Sequence, residues 1–194
     1  KDVPSVPSAP TTAQDKPSTA TPQPEKIVGR EQEVVVETDL LRVKINTYGG
    51  DLRQLELLTY PVSVDQPEQS FRLLNDEGAD LFLIQSGLLG SGREVPNHHT
   101  LFLVDRLSYQ LGSDESVSAV LKWQADDGVI YRKIYTFHRN SYFFDLRFEI
   151  DNPTGDEWVG YFYGQLLRTE VAQKGKIGFL GRLPSYTGGA IYTP

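Results

Sequence analysis

Apolar and polar side chains alternate along most of the chain after about residue 33, and a period of two is typical of half-buried β-strands. In residues 41–45, Leu41, Val43 and Ile45 fall on one face and the two cations between them fall on the other. No long stretch shows clean helical periodicity. The pattern predicts an all-β fold in which two antiparallel sheets form a β-sandwich. Four of the predicted strands are residues 117–125, 129–138, 142–151 and 158–168.

Turn residues separate these four strands and predict that they follow one another as a meander. Asp126-Asp127-Gly128 is a hairpin signal, because glycine readily adopts a positive φ. Residues 138–141 and 152–156 also carry turn-forming side chains. Residues 60–70 and 86–100 are rich in Pro, Gly, Ser and Asn, and we expect both to be long loops.

The two ends of the chain differ in composition from the middle. Residues 1–26 hold six of the twelve prolines and lack Leu, Ile, Phe, Tyr and Trp, so they have too little apolar surface to offset the entropy of ordering. We therefore divide the chain into a disordered Pro/Ser/Thr-rich linker, residues 1–28, and a β-sandwich domain, residues 29–194. Within the domain, residues 169–189 are expected to be mobile.

Charge and composition exclude several classes of protein. The chain carries 19 Lys and Arg against 26 Asp and Glu, a formal net charge of −7, which argues against a nucleic-acid-binding protein. It has no Cys, so disulfides and thiolate metal sites are excluded. It also has no Met, even at position 1, and we expect that it derives from a longer product. No apolar run approaches the ~20 residues of a membrane helix, so the domain itself is expected to be soluble.

The candidate chemical groups do not form a recognisable catalytic, cofactor or metal site. His98 and His99 are adjacent and cannot easily ligate one ion together, so they are predicted to be polar loop residues, and His138 is predicted to be a surface or cap residue. Residues 87–92 form a Gly-rich run that no helix follows, which predicts a flexible loop rather than a phosphate site. We therefore predict no catalytic, cofactor-binding or metal-binding residues and no cofactor.

Residues 158–167 are unusual because both alternation faces are apolar or aromatic. One interpretation is a central strand covered on both faces. The other is a surface for a partner protein, to which Tyr161 and Tyr163 would contribute together because their parity matches. The candidate partner-binding residues are Trp158, Tyr161 and Tyr163.

Five segments in register resemble the large periplasmic domain of Gram-negative members of the YidC/Oxa/Alb family of membrane protein insertases. The most specific is the run KINTYGGDL at residues 44–52, in which a Thr-x-Gly-Gly turn joins two strands. The resemblance covers about residues 30–194. The other four segments are residues 71–74, residues 82–88, the turn-rich stretch that ends at residues 164–166, and residues 188–194.

The resemblance implies a β-supersandwich of the galactose-mutarotase-like type in a periplasmic domain, with the linker following a first membrane span. It also implies a non-catalytic role in the insertion and folding of inner-membrane proteins. The domain would act by docking two partners, which are SecDF, contacted through SecF, and the Sec translocon. The SecF-linked part of the family domain corresponds roughly to residues 155–194. Nascent membrane proteins would contact a helical membrane core that lies outside this chain.

The alternative function is a carbohydrate-binding or carbohydrate-modifying β-sandwich. Such a protein needs an aromatic platform beside hydrogen-bonding carboxylates. Trp123, Trp158 and Tyr161 are the side chains that could supply the platform.

Overall fold

The structure is a computed structural model that describes residues 30–90 and 92–169. The predicted linker, residues 1–28, lies outside the described residues, as does the predicted mobile segment from residue 170 onward. Among the described residues no helix is long and apolar enough to cross a membrane. The strands in this part of the chain are β1 Glu33–Glu37, β2 Leu41–Asn46, β3 Asp51–Ser63, β4 Gln66–Leu74, β5 Phe82–Gly90, β6 Leu103–Val104, β7 Ser108–Gln110, β8 Ser116–Gln124, β9 Ile130–His138, β10 Phe144–Asp151 and β11 Gly160–Arg168.

The strands form two sheets, which confirms the predicted all-β sandwich. In the described residues the larger sheet has seven strands in the order β11-β5-β3-β2-β1-β7, with β4 paired to β3. The smaller sheet has four strands in the order β10-β9-β8-β6. Pairing is antiparallel except between β1 and β7, which run parallel.

The main core lies between the two sheets and follows the alternation in the sequence. In β2 the side chains of Leu41, Val43 and Ile45 are buried, whereas the intervening Arg42 is exposed. Tyr135 and Phe137 of β9 belong to the same buried cluster. Because alternate residues of a strand point to opposite faces, one row of apolar side chains from each sheet fills the interior.

The predicted four-strand meander is wrong at its last strand. β8, β9 and β10 are consecutive neighbours in the smaller sheet, but β11 crosses to the larger sheet and pairs with β5. Residues 152–159 make this crossing, and Arg93 holds them through contacts with Thr154 and Asp156. Alternation identifies the faces of a strand but carries no information on which sheet edge it joins.

Residues 60–70, one of the two predicted long loops, are largely strand, whereas residues 86–100 are strand only at 86–90 and form a loop over 92–100, as predicted. Residues 60–70 belong to the β3–β4 hairpin, where the pairing register shifts around Pro61. Residues 86–90 belong to β5, so the predicted flexible loop at 87–92 is also wrong for most of its length. Gly87 is required there by close packing, since a Cβ at this position would lie 2.7 Å from the Cα of Asn97 and from the Tyr163 hydroxyl.

Candidate partner-binding surface and the polar cluster beneath it

The candidate residues lie on or beside β11, an edge strand of the larger sheet in the described part of the chain. β11 pairs along its full length with β5, placing Tyr163 opposite Gly87 and Gln165 opposite Gln85. Its odd-numbered side chains face away from the smaller sheet. Its even-numbered side chains face toward that sheet, as the contact between the Phe162 and Phe148 rings at 6.2 Å shows.

The structure separates the three predicted partner-binding residues. Trp158 is half-buried and donates a 3.0 Å hydrogen bond from Nε1 to the Tyr131 hydroxyl. Tyr163 is also half-buried, with its hydroxyl 2.6 Å from His98 Nδ1. Tyr161 is 68% exposed. The partner-binding role of these three residues stays a prediction, and on geometry Tyr161 is the one that a partner could reach.

Two further exposed side chains on β11 were missed by the sequence reasoning. Phe162 is 57% exposed and Leu166 is 67% exposed, and both lie on the face opposite Tyr161. The signal was present in the apolar character of both faces of residues 158–167. The sequence could not show that the smaller sheet leaves the Phe162 and Leu166 side chains of β11 partly uncovered.

A buried ammonium group lies between the sheets. Lys133 of β9 is fully buried, and its Nζ donates hydrogen bonds to the backbone carbonyls of Gly49 and Ser86, each at 2.9 Å. Burial lowers the pKa of Lys133 to about 7, and attraction to Asp51 opposes that shift. The sequence held a signal for this residue, because Lys133 has the same parity as the buried residues Val129, Tyr131 and Tyr135.

The buried carboxylate of Asp51 attracts this ammonium electrostatically and is joined to β11 by two hydrogen bonds. Asp51 Oδ2 accepts a 2.8 Å hydrogen bond from Gln85 Nε2, and Gln85 Oε1 in turn accepts one of 2.8 Å from Gln165 Nε2. Asp51 Oδ1 has no hydrogen-bond partner among the described residues. Burial raises the pKa of the Asp51 carboxyl, although the hydrogen bond from Gln85 and the charges of Lys133 and Arg53 act in the opposite direction.

The backbone of the Gly49-Gly50 turn needs glycine at both positions in order to make these contacts. Gly49 and Gly50 have φ values of 79° and 61°, a region that side chains with a Cβ rarely adopt. A Cβ on Gly49 would lie 2.5 Å from the His98 carbonyl oxygen, and one on Gly50 would lie 2.9 Å from Lys133 Cδ. The turn thereby presents both of its carbonyls to β9, where Tyr135 donates a 2.7 Å hydrogen bond to Gly50 O.

His98 lies in the loop after β5, as predicted for a polar loop residue. It is buried beside Tyr163, because this loop folds back over Gly87. His138 is at the surface, with Nε2 at 2.8 Å from Asp145 Oδ2. In residues 30–90 and 92–169 no group of three His, Cys, Asp or Glu side chains could hold a metal ion.

The aromatic platform required by the carbohydrate alternative does not form. Trp123 and Trp158 are both half-buried and pack against Tyr131, with ring centroids 5.5 Å and 6.5 Å from that ring. Tyr161 is not among the ring contacts of this cluster. The two tryptophans therefore stabilise the interior instead of lining an open sugar site.

An apolar cavity of about 380 Å³ lies where the two sheets separate. Leu73 of β4, Ile84 of β5 and Phe144 of β10 line it, together with Tyr60 and Tyr142. The Tyr142 hydroxyl is 2.6 Å from Thr59 Oγ1, which ties residue 142 to the β3–β4 hairpin.

Comparison with known proteins identifies the family. Residues 33–194 match the family model described as the YidC periplasmic domain. Curated relatives named "Membrane protein insertase YidC" come from Methylococcus capsulatus, 42% identical over 159 residues, from Laribacter hongkongensis, 37% over 181, and from Nitrosomonas europaea, 41% over 167. These alignments cover 81%, 91% and 84% of this chain and 29%, 32% and 26% of the relatives.

The chain thus spans about a third of the length of the relatives it matches, or less. Membership in a family of insertases agrees with the prediction that the chain is not an enzyme. With its all-β sandwich and its match over residues 33–194, this chain belongs to the YidC family of membrane protein insertases, as a periplasmic domain.

Proposed function

We propose that this domain is a non-catalytic docking module of an inner-membrane insertase, which assists membrane-protein insertion and folding by holding Sec accessory proteins nearby. The observation that supports the proposal is that Tyr161 is an exposed aromatic residue on β11. Two other side chains of this strand, Tyr163 and Gln165, are held by hydrogen bonds to His98 and Gln85. An aromatic ring on a rigid strand loses little entropy on binding, and such residues commonly dominate interface energies. The partners proposed are the periplasmic domains of SecDF, by way of SecF, and more loosely the Sec translocon.

The location of the domain follows from the same proposal. It lies in the periplasm and is joined to the inner membrane by parts of the protein outside this chain, which would also contact nascent membrane proteins. Residues 1–28 would act as the tether. A short flexible tether raises the effective concentration of a partner to ~mM, so that weak contacts at Tyr161 suffice for docking.

The test measures binding and stability on the same variant. Tyr161→Ser should weaken association with purified SecDF periplasmic domains by about ten-fold or more, the effect expected for an aromatic anchor. Its free energy of unfolding should change by no more than about 0.5 kcal/mol, since the ring is exposed. Phe143→Ser is the matched control, because Phe143 is also exposed but lies outside β11. Equal binding by both variants would overturn Tyr161 as the anchor, and no association of the unmodified chain would overturn the docking function.

A further inference from the structure

The apolar cavity where the two sheets separate has no charged side chain among its described lining residues. These residues are all Leu, Ile, Phe or Tyr. One of the two tyrosine hydroxyls is already engaged, because the Tyr142 hydroxyl forms a hydrogen bond of 2.6 Å with Thr59 Oγ1. A charged group has no partner inside such a lining, whereas an apolar group gains by leaving water. The chemistry of the cavity therefore selects an apolar ligand or an apolar part of a ligand.

The size of the cavity suits an alkyl chain. Its volume of about 380 Å³ falls within the range that is typical of ligand pockets. If each methylene group takes roughly the 30 Å³ that a water molecule occupies in the liquid, the cavity has room for about twelve carbons. Three of the lining side chains, Tyr60, Leu73 and Tyr142, are exposed, so an alkyl chain can enter from solvent.

A charged groove of about 860 Å³ adjoins the cavity, and Leu73 lines both. In this groove Glu56 is paired with Arg42 at 3.5 Å and with Arg72 at 3.3 Å. Arg168, the last residue of β11, also lines the groove but forms no ion pair with the described residues. Its exposed guanidinium can therefore bind an anionic group from outside this part of the chain.

The strand register relates Arg168 to the cavity. Arg168 is paired with Phe82 of β5, and its guanidinium carbon lies 5.7 Å from the centre of the Phe82 ring. Phe82 and the cavity residue Ile84 are two positions apart in β5, so they share a face and lie roughly 7 Å apart along the strand. A molecule with its alkyl chain against Ile84 thus brings a head group within reach of Arg168.

We propose that the cavity and Arg168 together bind an amphiphile that has a single alkyl chain and an anionic head group. The chain occupies the cavity, and the head group accepts hydrogen bonds from the guanidinium. A fatty carboxylate and a lipid phosphate share this chemistry. The inference goes beyond the docking function, because Tyr161 and SecDF take no part in it.

Calorimetric titration of the full chain with dodecyl compounds, at concentrations too low for micelles, tests the head-group contact. Dodecanoate should bind about five-fold more tightly than uncharged dodecanol, the effect expected for an exposed ion pair. Arg168→Gln should remove this preference and leave the affinity for dodecanol unchanged. Arg106→Gln is the matched control, because Arg106 is also exposed and its guanidinium carbon lies 4.8 Å from the centre of an aromatic ring, that of Tyr109. Dodecyl phosphate is titrated in parallel, and the tighter binder of the two anions distinguishes a lipid phosphate from a fatty carboxylate.

A second pair of variants tests the cavity itself. Leu73→Asp places a carboxylate in the apolar lining and should weaken binding of both dodecanoate and dodecanol by about ten-fold or more. Leu107→Asp is its control, since Leu73 and Leu107 are each 44% exposed but only Leu73 lines the cavity. Thermal unfolding of both variants checks that each is folded, and the Arg168→Gln measurement does not depend on either.

Three results would overturn the proposal. They are no binding of any dodecyl compound, equal binding by the two Leu variants, and tighter binding of dodecylammonium than of dodecanoate. The last would mean that the carboxylates of Glu68 and Asp80, which also line the groove, select a cation instead. All of these variants keep Tyr161, so their binding to SecDF tests the docking function separately.

Discussion

β10 and β11 are edge strands of the two sheets in the described residues, but they expose different side chains. The outward face of β10 carries Asp145, Arg147, Glu149 and Asp151, all exposed. The exposed side chains of β11 are apolar or aromatic except for Arg168, most prominently Tyr161, Phe162 and Leu166. Charges along an edge strand discourage unwanted pairing, whereas an apolar edge invites it. Among the described residues β10 ends its sheet at solvent, and the comparison supports the proposal that β11 is a surface for contact.

The anchors beneath the two strands differ as well. β10 is held by ordinary apolar packing of Phe144, Leu146 and Phe148. β11 is connected through Gln165 and Gln85 to the buried Asp51 carboxylate. A strand that binds a partner needs a fixed position, and a hydrogen bond to the buried Gln85 restricts the position of Gln165 more than apolar contacts do.

The largest expected effect comes from removing the buried ammonium of Lys133, which binds the Gly-Gly turn and β5. Lys133→Ala leaves the carbonyls of Gly49 and Ser86 without their donor and Asp51 without its nearest buried cation, and should lower the free energy of unfolding by about 3–5 kcal/mol. Lys122→Ala on the neighbouring strand removes an exposed cation and should change it by less than about 0.5 kcal/mol. Denaturant unfolding of both variants provides the measurement. A similar loss in both would show that the buried cluster has no special role.

The pH dependence of the free energy of unfolding should depend on the buried Lys133 and Asp51 and not on the exposed charges of β10. Because the pKa of Lys133 falls from its ordinary 10.5 to about 7, the unfolded chain binds more protons between those values, and stability should rise as pH increases from 7 toward 10.5. The raised pKa of Asp51 has the opposite sign, so its contribution falls as pH rises from 3.8 through the folded value.

A comparison of Lys133→Met with the unmodified chain isolates the contribution of Lys133 to the pH dependence of stability. Met keeps most of the apolar length of the side chain and does not titrate. The variant should therefore lose the rise in stability above pH 7 measured by urea unfolding at several pH values. An identical pH profile in both proteins would show that Lys133 does not titrate in this window.

A smaller effect distinguishes the two tyrosines of β11. Tyr163→Phe removes the hydroxyl that lies 2.6 Å from His98 Nδ1, and should cost about 1 kcal/mol of unfolding free energy. Tyr161→Phe should cost less than about 0.5 kcal/mol, since that side chain is exposed. Thermal unfolding measures both. Equal losses would mean that both tyrosines contribute to the interior in the same way.

These tyrosines also show which features of the site the sequence could predict. Parity alone places Tyr161 and Tyr163 on one face, and the structure agrees. Tyr163 is half-buried against His98 in the loop after β5, whereas Tyr161 is exposed. A contact made 65 residues away in the sequence has no local signature. The family motif, by contrast, marked the Gly-Gly turn correctly because its backbone demands are local.

A small change in stability and a clear change in association are expected when β10 is made to resemble β11. Asp145→Val combined with Glu149→Val removes two exposed carboxylates from β10. The double substitution should alter the free energy of unfolding by about 1 kcal/mol or less. Self-association should increase, because the edge then lacks the charges that oppose pairing. Sedimentation over a range of concentrations measures it, with Asp145→Glu and Glu149→Asp as controls that keep both charges. A variant as monomeric as its control would remove the basis of the comparison.

The bond from Lys133 to Gly49 has a consequence for the order in which the domain can assemble as the chain emerges during export. Its two ends are 84 residues apart, and the link from Gln165 to Gln85 spans 80. The β8–β9–β10 hairpins can form from neighbouring residues, but the larger sheet receives its last described strand, β11, only after these have appeared. Loop closure over such distances delays folding. The carbonyls of Gly49 and Gly50 therefore stay unsatisfied until the chain has extended by 84 and 85 residues, to Lys133 and Tyr135. Among the described strands, the last to arrive is β11, which carries Tyr161.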